Sequence, residues 1–103
     1  MVRNLLETAP PESGELFEEL FENGYVDIEL IVSSKSPEAA LYNQPHDEAV
    51  LLIDGSATLE ITGEIVELER GDFLIIPANT PHRVLKTENG TRWLAIHMRR
   101  GRK

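Results

Sequence analysis

Between residues 13 and 23 the apolar positions Leu16, Phe17, Leu20 and Phe21 recur at the three- and four-residue spacing of a helix. Ser13 can cap its start and Asn23-Gly24 can end it, so the pattern predicts one short amphipathic helix. Its other face, Glu15, Glu18, Glu19 and Glu22, is then solvated. After Gly24 the period falls from about 3.6 residues to 2. Val26, Ile28, Leu30 and Val32 alternate with Asp27 and Glu29, which predicts a strand with one buried face. The runs AVLLI, ATLEI, IVEL, DFLIIP, HRVLK and RWLAIHM follow, parted by Asp54-Gly55, Thr62-Gly63, Arg70-Gly71 and Asn89-Gly90. Short strands with turn signals at this spacing predict an all-β sandwich or barrel. No helical pattern separates them, which argues against parallel βαβ packing.

Two stretches carry more specific information. In GDFLIIPANTPH, Gly71 is followed after five residues by Pro77, and Asn79 and His82 come next. The stretch resembles the second sequence motif of the cupin superfamily: a glycine, five residues, proline, one residue, usually a second glycine, two residues, histidine. Asn79 stands at the second glycine, a position that needs a left-handed backbone, and asparagine tolerates one. Lys86 replaces the motif's last asparagine. Glu48, followed after six residues by Gly55, is similar to the end of the first cupin motif.

The resemblance covers residues 42–86 and implies a small single-domain cupin, close to the cupin-2 type. Its fold would be a double-stranded β-helix, the cupin jelly roll, with a ligand cavity between its sheets. On this reading residues 1–24 form an N-terminal arm and helix, 25–98 the barrel and 99–103 a basic tail. The family resemblance also implies a homodimer. The apolar side chains Ala49, Leu51 and Ile53 would face away from the cavity if Glu48, Val50 and Leu52 face into it, and that outer face needs cover. The superfamily's usual metal shell has three histidines and one glutamate. Only Glu48 and His82 carry over directly, because Tyr42 and Gln44 stand where the first motif has its two histidines.

The residues themselves suggest replacements. Tyr42, Gln44, His46 and Glu48 lie two apart, so an extended backbone aims all four to one side, unless Pro45 bends it. With Asn89-Gly90 as a two-residue turn, Glu88 faces Thr91, Lys86 faces Trp93 and His82 faces His97. Opposed residues project from one face with Cβ atoms about 5 Å apart. His46, Glu48, His82 and His97 then converge as a candidate set for a divalent ion such as zinc, iron, nickel or manganese. Without a metal, two adjacent imidazoles would resist double protonation, so both pKa values would lie below the ordinary ~6.5.

Composition narrows the function classes. The 103 residues suffice for one domain, and the absence of cysteine excludes disulfides and thiolate-ligated zinc. The net charge is −8, and four of the ten basic residues lie at Arg99, Arg100, Arg102 and Lys103. Residues 1–98 thus set six basic against eighteen acidic side chains, a net −12 that repels nucleic acid. No apolar run approaches the ~18 residues of a membrane span, and the expected location is the cytoplasm. Two functional readings stay open. One is a metal-dependent enzyme acting on a small polar metabolite, with Glu48 as ligand or catalytic base. The other is a non-catalytic module that binds a small molecule through Tyr42, Gln44, Glu48 and His82.

Overall fold

The chain folds as eight strands: β1 Glu15–Glu22, β2 Val26–Ser33, β3 Asp47–Asp54, β4 Ser56–Ile61, β5 Glu64–Glu69, β6 Phe73–Ile76, β7 His82–Thr87 and β8 Thr91–Met98. The structure, a computed structural model, describes residues 2–99, so most of the basic tail lies outside the described residues. A five-stranded sheet in the order β1-β2-β8-β3-β6 packs on a three-stranded sheet in the order β5-β4-β7. Every neighbouring pair of strands in these sheets is antiparallel, as in a cupin jelly roll.

The helix expected over residues 13–23 is strand β1, and no helix occurs among the described residues. Pairing with β2 overrides the local pattern, and a bulge explains why the pattern looked helical. Leu16 and Phe17 oppose Val32 and Ile31, but the register shifts between Glu19 and Phe21. Leu20 is the extra residue, so Phe17 and Phe21, four apart, end on opposite faces of the sheet. Asn23-Gly24 makes a hairpin turn instead of ending a helix. Asn23 Oδ1 accepts from the Tyr25 and Val26 amides, both at 2.9 Å, and Gly24 takes φ +91°.

β2 is at least half-buried along its length, but its most apolar face is not the cavity face. Leu30 and Val32 are fully buried on the outer side of the large sheet. The N-terminal arm crosses there: Arg92 Nη1 donates to the Leu5 carbonyl, and Arg3 pairs with Glu18, which opposes Leu30. Asp27, Glu29 and Ile31 therefore turn inward. The core between the sheets is Val50, Leu52, Ala57, Leu59, Leu68, Ile76 and Trp93. Each fully buried large side chain there contributes about 1.5–3 kcal/mol relative to exposure.

Asn89-Gly90 turns the chain, yet β7 and β8 do not pair. The Glu88 amide donates to Ser56 O at 3.1 Å and the Gly90 amide to Ser33 O at 2.8 Å, tying the corner to both sheets. β7 then joins β4 in the small sheet, and β8 becomes the central strand of the large one. The expected oppositions of His82 with His97 and of Lys86 with Trp93 are thus absent. Trp93 is a core residue, 3% exposed, whose Nε1–H donates to Ser33 Oγ at 2.9 Å.

Candidate functional site

A cavity of about 80 Å³ opens between the sheets. Its walls are mainly apolar, from Ile31, Val50, Leu59, Ile76, Val84 and Trp93, with Phe17 half-exposed among them. Its polar side chains are Glu15, Glu29, Tyr42, Gln44, Glu48, His82 and His97.

The family-like motifs deliver Glu48 and His82 from facing sheets. Glu48 lies on β3, paired with His97 of β8 and Ile76 of β6. His82 opens β7, just after a loop in which Asn79 takes φ +61° and its amide donates to Gln44 O at 2.6 Å. Asparagine at the second glycine position thus adopts the left-handed conformation the motif needs. His82 Nδ1–H donates to the Thr80 carbonyl at 2.9 Å, leaving the Nε2 lone pair 3.8 Å from Glu48 Oε1. That oxygen is buried without a hydrogen-bond partner, and Glu48 is 7% exposed. Burial pushes the Glu48 carboxyl above the usual carboxylate range, opposed by the nearby His97 and His82.

Tyr42 and Gln44 line the cavity as their spacing predicts. Tyr42 exchanges backbone hydrogen bonds with His82, and the two rings stack with centroids 5.8 Å apart. Burial raises the Tyr42 pKa, reinforced by Glu15, Glu38, Glu29 and Glu48. His46 departs from the alternation, because the backbone bends at Pro45–His46. It reaches His97 instead: the two rings meet edge to face, with His97 Nδ1 2.9 Å from His46 Nε2.

His97 has a second partner that the sequence did not announce. Its Nε2–H donates to Glu29 Oε2 at 2.8 Å. This hydrogen bond raises the His97 pKa despite desolvation, whereas desolvation and the neighbouring His97 lower that of His46. The expected downward shift of an adjacent His82–His97 pair is therefore replaced by opposite shifts in a His46–His97 pair. Glu29 is an acidic residue in an alternating strand, and only the β2–β8 register places it beside His97.

The four expected metal donors thus fall into two groups. Glu48 and His82 face each other across the cavity, while His46 and His97 bond to one another and His97 to Glu29. No three histidine or acidic side chains converge as a metal-binding cluster among the described residues. The residues present do not form the three-histidine, one-glutamate shell; they offer one oxygen and one nitrogen that are otherwise uncommitted.

Comparison with known proteins decides the family. The profile described as Cupin domain matches residues 30–97, about two thirds of the chain. The chain belongs to the cupin family. A protein of known structure from Ralstonia eutropha JMP134, a candidate mannose-6-phosphate isomerase, is 36% identical over 97% of this chain and 99% of its own, with a TM-score of 0.84. The cupin superfamily protein of Desulfitobacterium hafniense DCB-2 shares the fold at 21% identity, covering 87% and 82% of the two chains with a TM-score of 0.78. Quercetin 2,3-dioxygenase of Bacillus subtilis strain 168 is 30% identical over 71 residues, 65% of this cupin but 21% of that protein. No helix among the described residues is long and apolar enough to cross a membrane.

Proposed function

We propose that this cupin binds a small organic molecule in the cavity between its sheets, with Glu48 and His82 meeting the ligand's polar group. The observation that carries this reading is the pair of uncommitted atoms, Glu48 Oε1 and His82 Nε2, facing each other at 3.8 Å in a mainly apolar cavity. A buried acceptor without a partner is costly, and a ligand donor removes that cost. Tyr42 and Gln44 supply further polar wall. The raised Glu48 carboxyl also suits it to exchange a proton with the ligand, which is what an enzymatic role would require of it.

The relatives' activities transfer only as candidates. No lysine or arginine lines the cavity among the described residues, so nothing there would receive the phosphate of a sugar phosphate. The match to the dioxygenase spans about a fifth of that protein, and quercetin-like polyphenols enter as one ligand class to test.

Trp93 is the sole tryptophan and lines the cavity, so its fluorescence reports occupancy. Saturable quenching by one member of a small-metabolite panel, weakened or lost in Glu48→Gln and His82→Ala, supports the reading. Binding unaffected by both substitutions rules it out.

A divalent ion such as zinc, iron, nickel or manganese is the second reading, favoured by the same oxygen and nitrogen. Glu48 and His82 would hold it, and when bound it would supply Lewis-acid polarisation of a carbonyl or of water. His97 could join only by leaving Glu29. Near-stoichiometric metal in untagged protein, lost in His82→Ala, would establish this reading, and metal-free protein from metal-replete expression would remove it.

A further inference from the structure

We propose, building on the small-molecule reading above, that the cavity's ligand is an organic cation, a primary or secondary ammonium on a compact apolar body, whose N–H groups donate to Glu48 Oε1 and His82 Nε2.

The hydrogen-bonding roles of the two atoms select the ligand's chemistry. His82 spends its Nδ1–H on Thr80 O, so its Nε2 presents a lone pair, and the Glu48 carboxylate presents another. Two acceptors 3.8 Å apart therefore face one another with no protein donor between them. An ammonium nitrogen carries at least two N–H groups and bridges such a pair. A hydroxyl has a single proton and satisfies one acceptor only, and a carboxylate or phosphate brings a third acceptor to a site already made of them.

Charge points the same way. Of the three carboxylates lining the cavity, Glu29 is paired with His97, but Glu15 accepts only from the uncharged Ser33 hydroxyl and Glu48 Oε1 from nothing. Described cations close in sequence or register to the wall are directed elsewhere: Arg83 to Glu60 at 3.0 Å, Arg99 to Asp27 at 3.4 Å and Arg92 to the Leu5 carbonyl. The Glu48 side chain, 9% exposed, points into a space where no lysine or arginine reaches it and where the cation-forming ring of His97 is already hydrogen-bonded to Glu29. Phe17, Tyr42 and Trp93 supply aromatic wall for the apolar body and for cation–π contact.

The test holds the apolar body constant and varies the charge. Full-length protein treated with a chelator is titrated near neutral pH with phenethylamine, phenethyl alcohol, phenylacetate and inorganic phosphate, followed by Trp93 fluorescence and calorimetry. Phenethylamine should bind roughly tenfold or more tightly than the alcohol, as hydrogen bonds to a charged partner outweigh neutral ones. Phenylacetate and phosphate should show no saturable binding, and Glu48→Gln should bring the amine down to the alcohol's affinity. Equal or tighter binding of the alcohol or of either anion overturns the cation assignment while leaving the cavity a binding site. So does a preference for the amine that survives in Glu48→Gln. If no organic probe binds up to about 10 mM, the small-molecule reading itself falls, and this inference with it.

Discussion

Glu48 and His97 are directly paired across β3 and β8, yet their side chains serve different partners. The His97 ring lies between Glu29 and His46, whereas Glu48 stands across the cavity from His82. One strand pairing thus holds together an internally satisfied group and an unsatisfied one. The first is closed on itself; the second leaves Glu48 Oε1 without a hydrogen-bond partner.

The unsatisfied group should cost stability. Burial raises the Glu48 pKa above its ordinary 4.5, so the folded protein keeps a proton in a pH range where the unfolded chain has lost it. Stability then falls as pH rises through that range, and the full cost is present above the folded pKa. Glu48→Gln is expected to be more stable than the parent at neutral pH by about 1–3 kcal/mol, the usual cost of a buried polar group without a partner. The advantage should vanish below pH 4.5. Urea unfolding across this range measures it, and a glutamine variant less stable at neutral pH contradicts it.

The satisfied group should titrate in two directions. His97 is expected to hold its proton above pH 6.5 and His46 to lose its own below that value. The Glu29–His97 bond then contributes stability fully below the unfolded histidine pKa and loses it as pH rises through the folded one. Glu29→Gln should lower the His97 pKa and cost about 1–3 kcal/mol in mildly acid solution, with little effect in alkaline solution. Imidazole proton shifts in NMR, followed against pH, check both; a parallel titration of the two rings counts against the assignment.

Gly55 is held by close approach as well as by backbone conformation. It takes φ +92°, and a Cβ there would collide with Thr91 Oγ1 and lie 2.8 Å from Thr91 Cα. Gly55→Ala is expected to cost about 3 kcal/mol or more, because backbone must move. At Gly63, with φ +84° and no neighbour within 4 Å, the same change should cost only about 1 kcal/mol. Chemical denaturation of the two variants gives the comparison, and equal costs would show that the Thr91 approach is unimportant.

The outer face of the large sheet is expected to join two copies of the chain. Beyond the part crossed by the N-terminal arm, Leu51 and Ile53 are only half-buried, and Phe73, paired with Leu51, is 62% exposed. Light scattering should give about twice 11.6 kDa at micromolar concentration. Phe73→Glu should return the mass to that of one chain without loss of the β spectrum. A monomeric parent protein refutes the dimer.

The sequence by itself determined the all-β class, the turns at its glycines, the left-handed role of Asn79 and the cavity positions of Tyr42, Gln44, Glu48 and His82. These follow from two-residue alternation and from motifs whose residues are close in sequence, so local geometry suffices to read them. Tertiary structure decided the rest. β1 is a strand because β2 offers it a full edge, and the bulge at Leu20 gave its apolar residues a helical spacing. β7 and β8 separate because Ser33 and Ser56 hold the corner between the sheets, which removes the hairpin that local turn chemistry implies. Glu29 finds His97 across 68 residues of chain through the β2–β8 register. Strand partnership is a competition among distant edges, settled by which faces can be buried together, and no window of neighbouring residues contains that information.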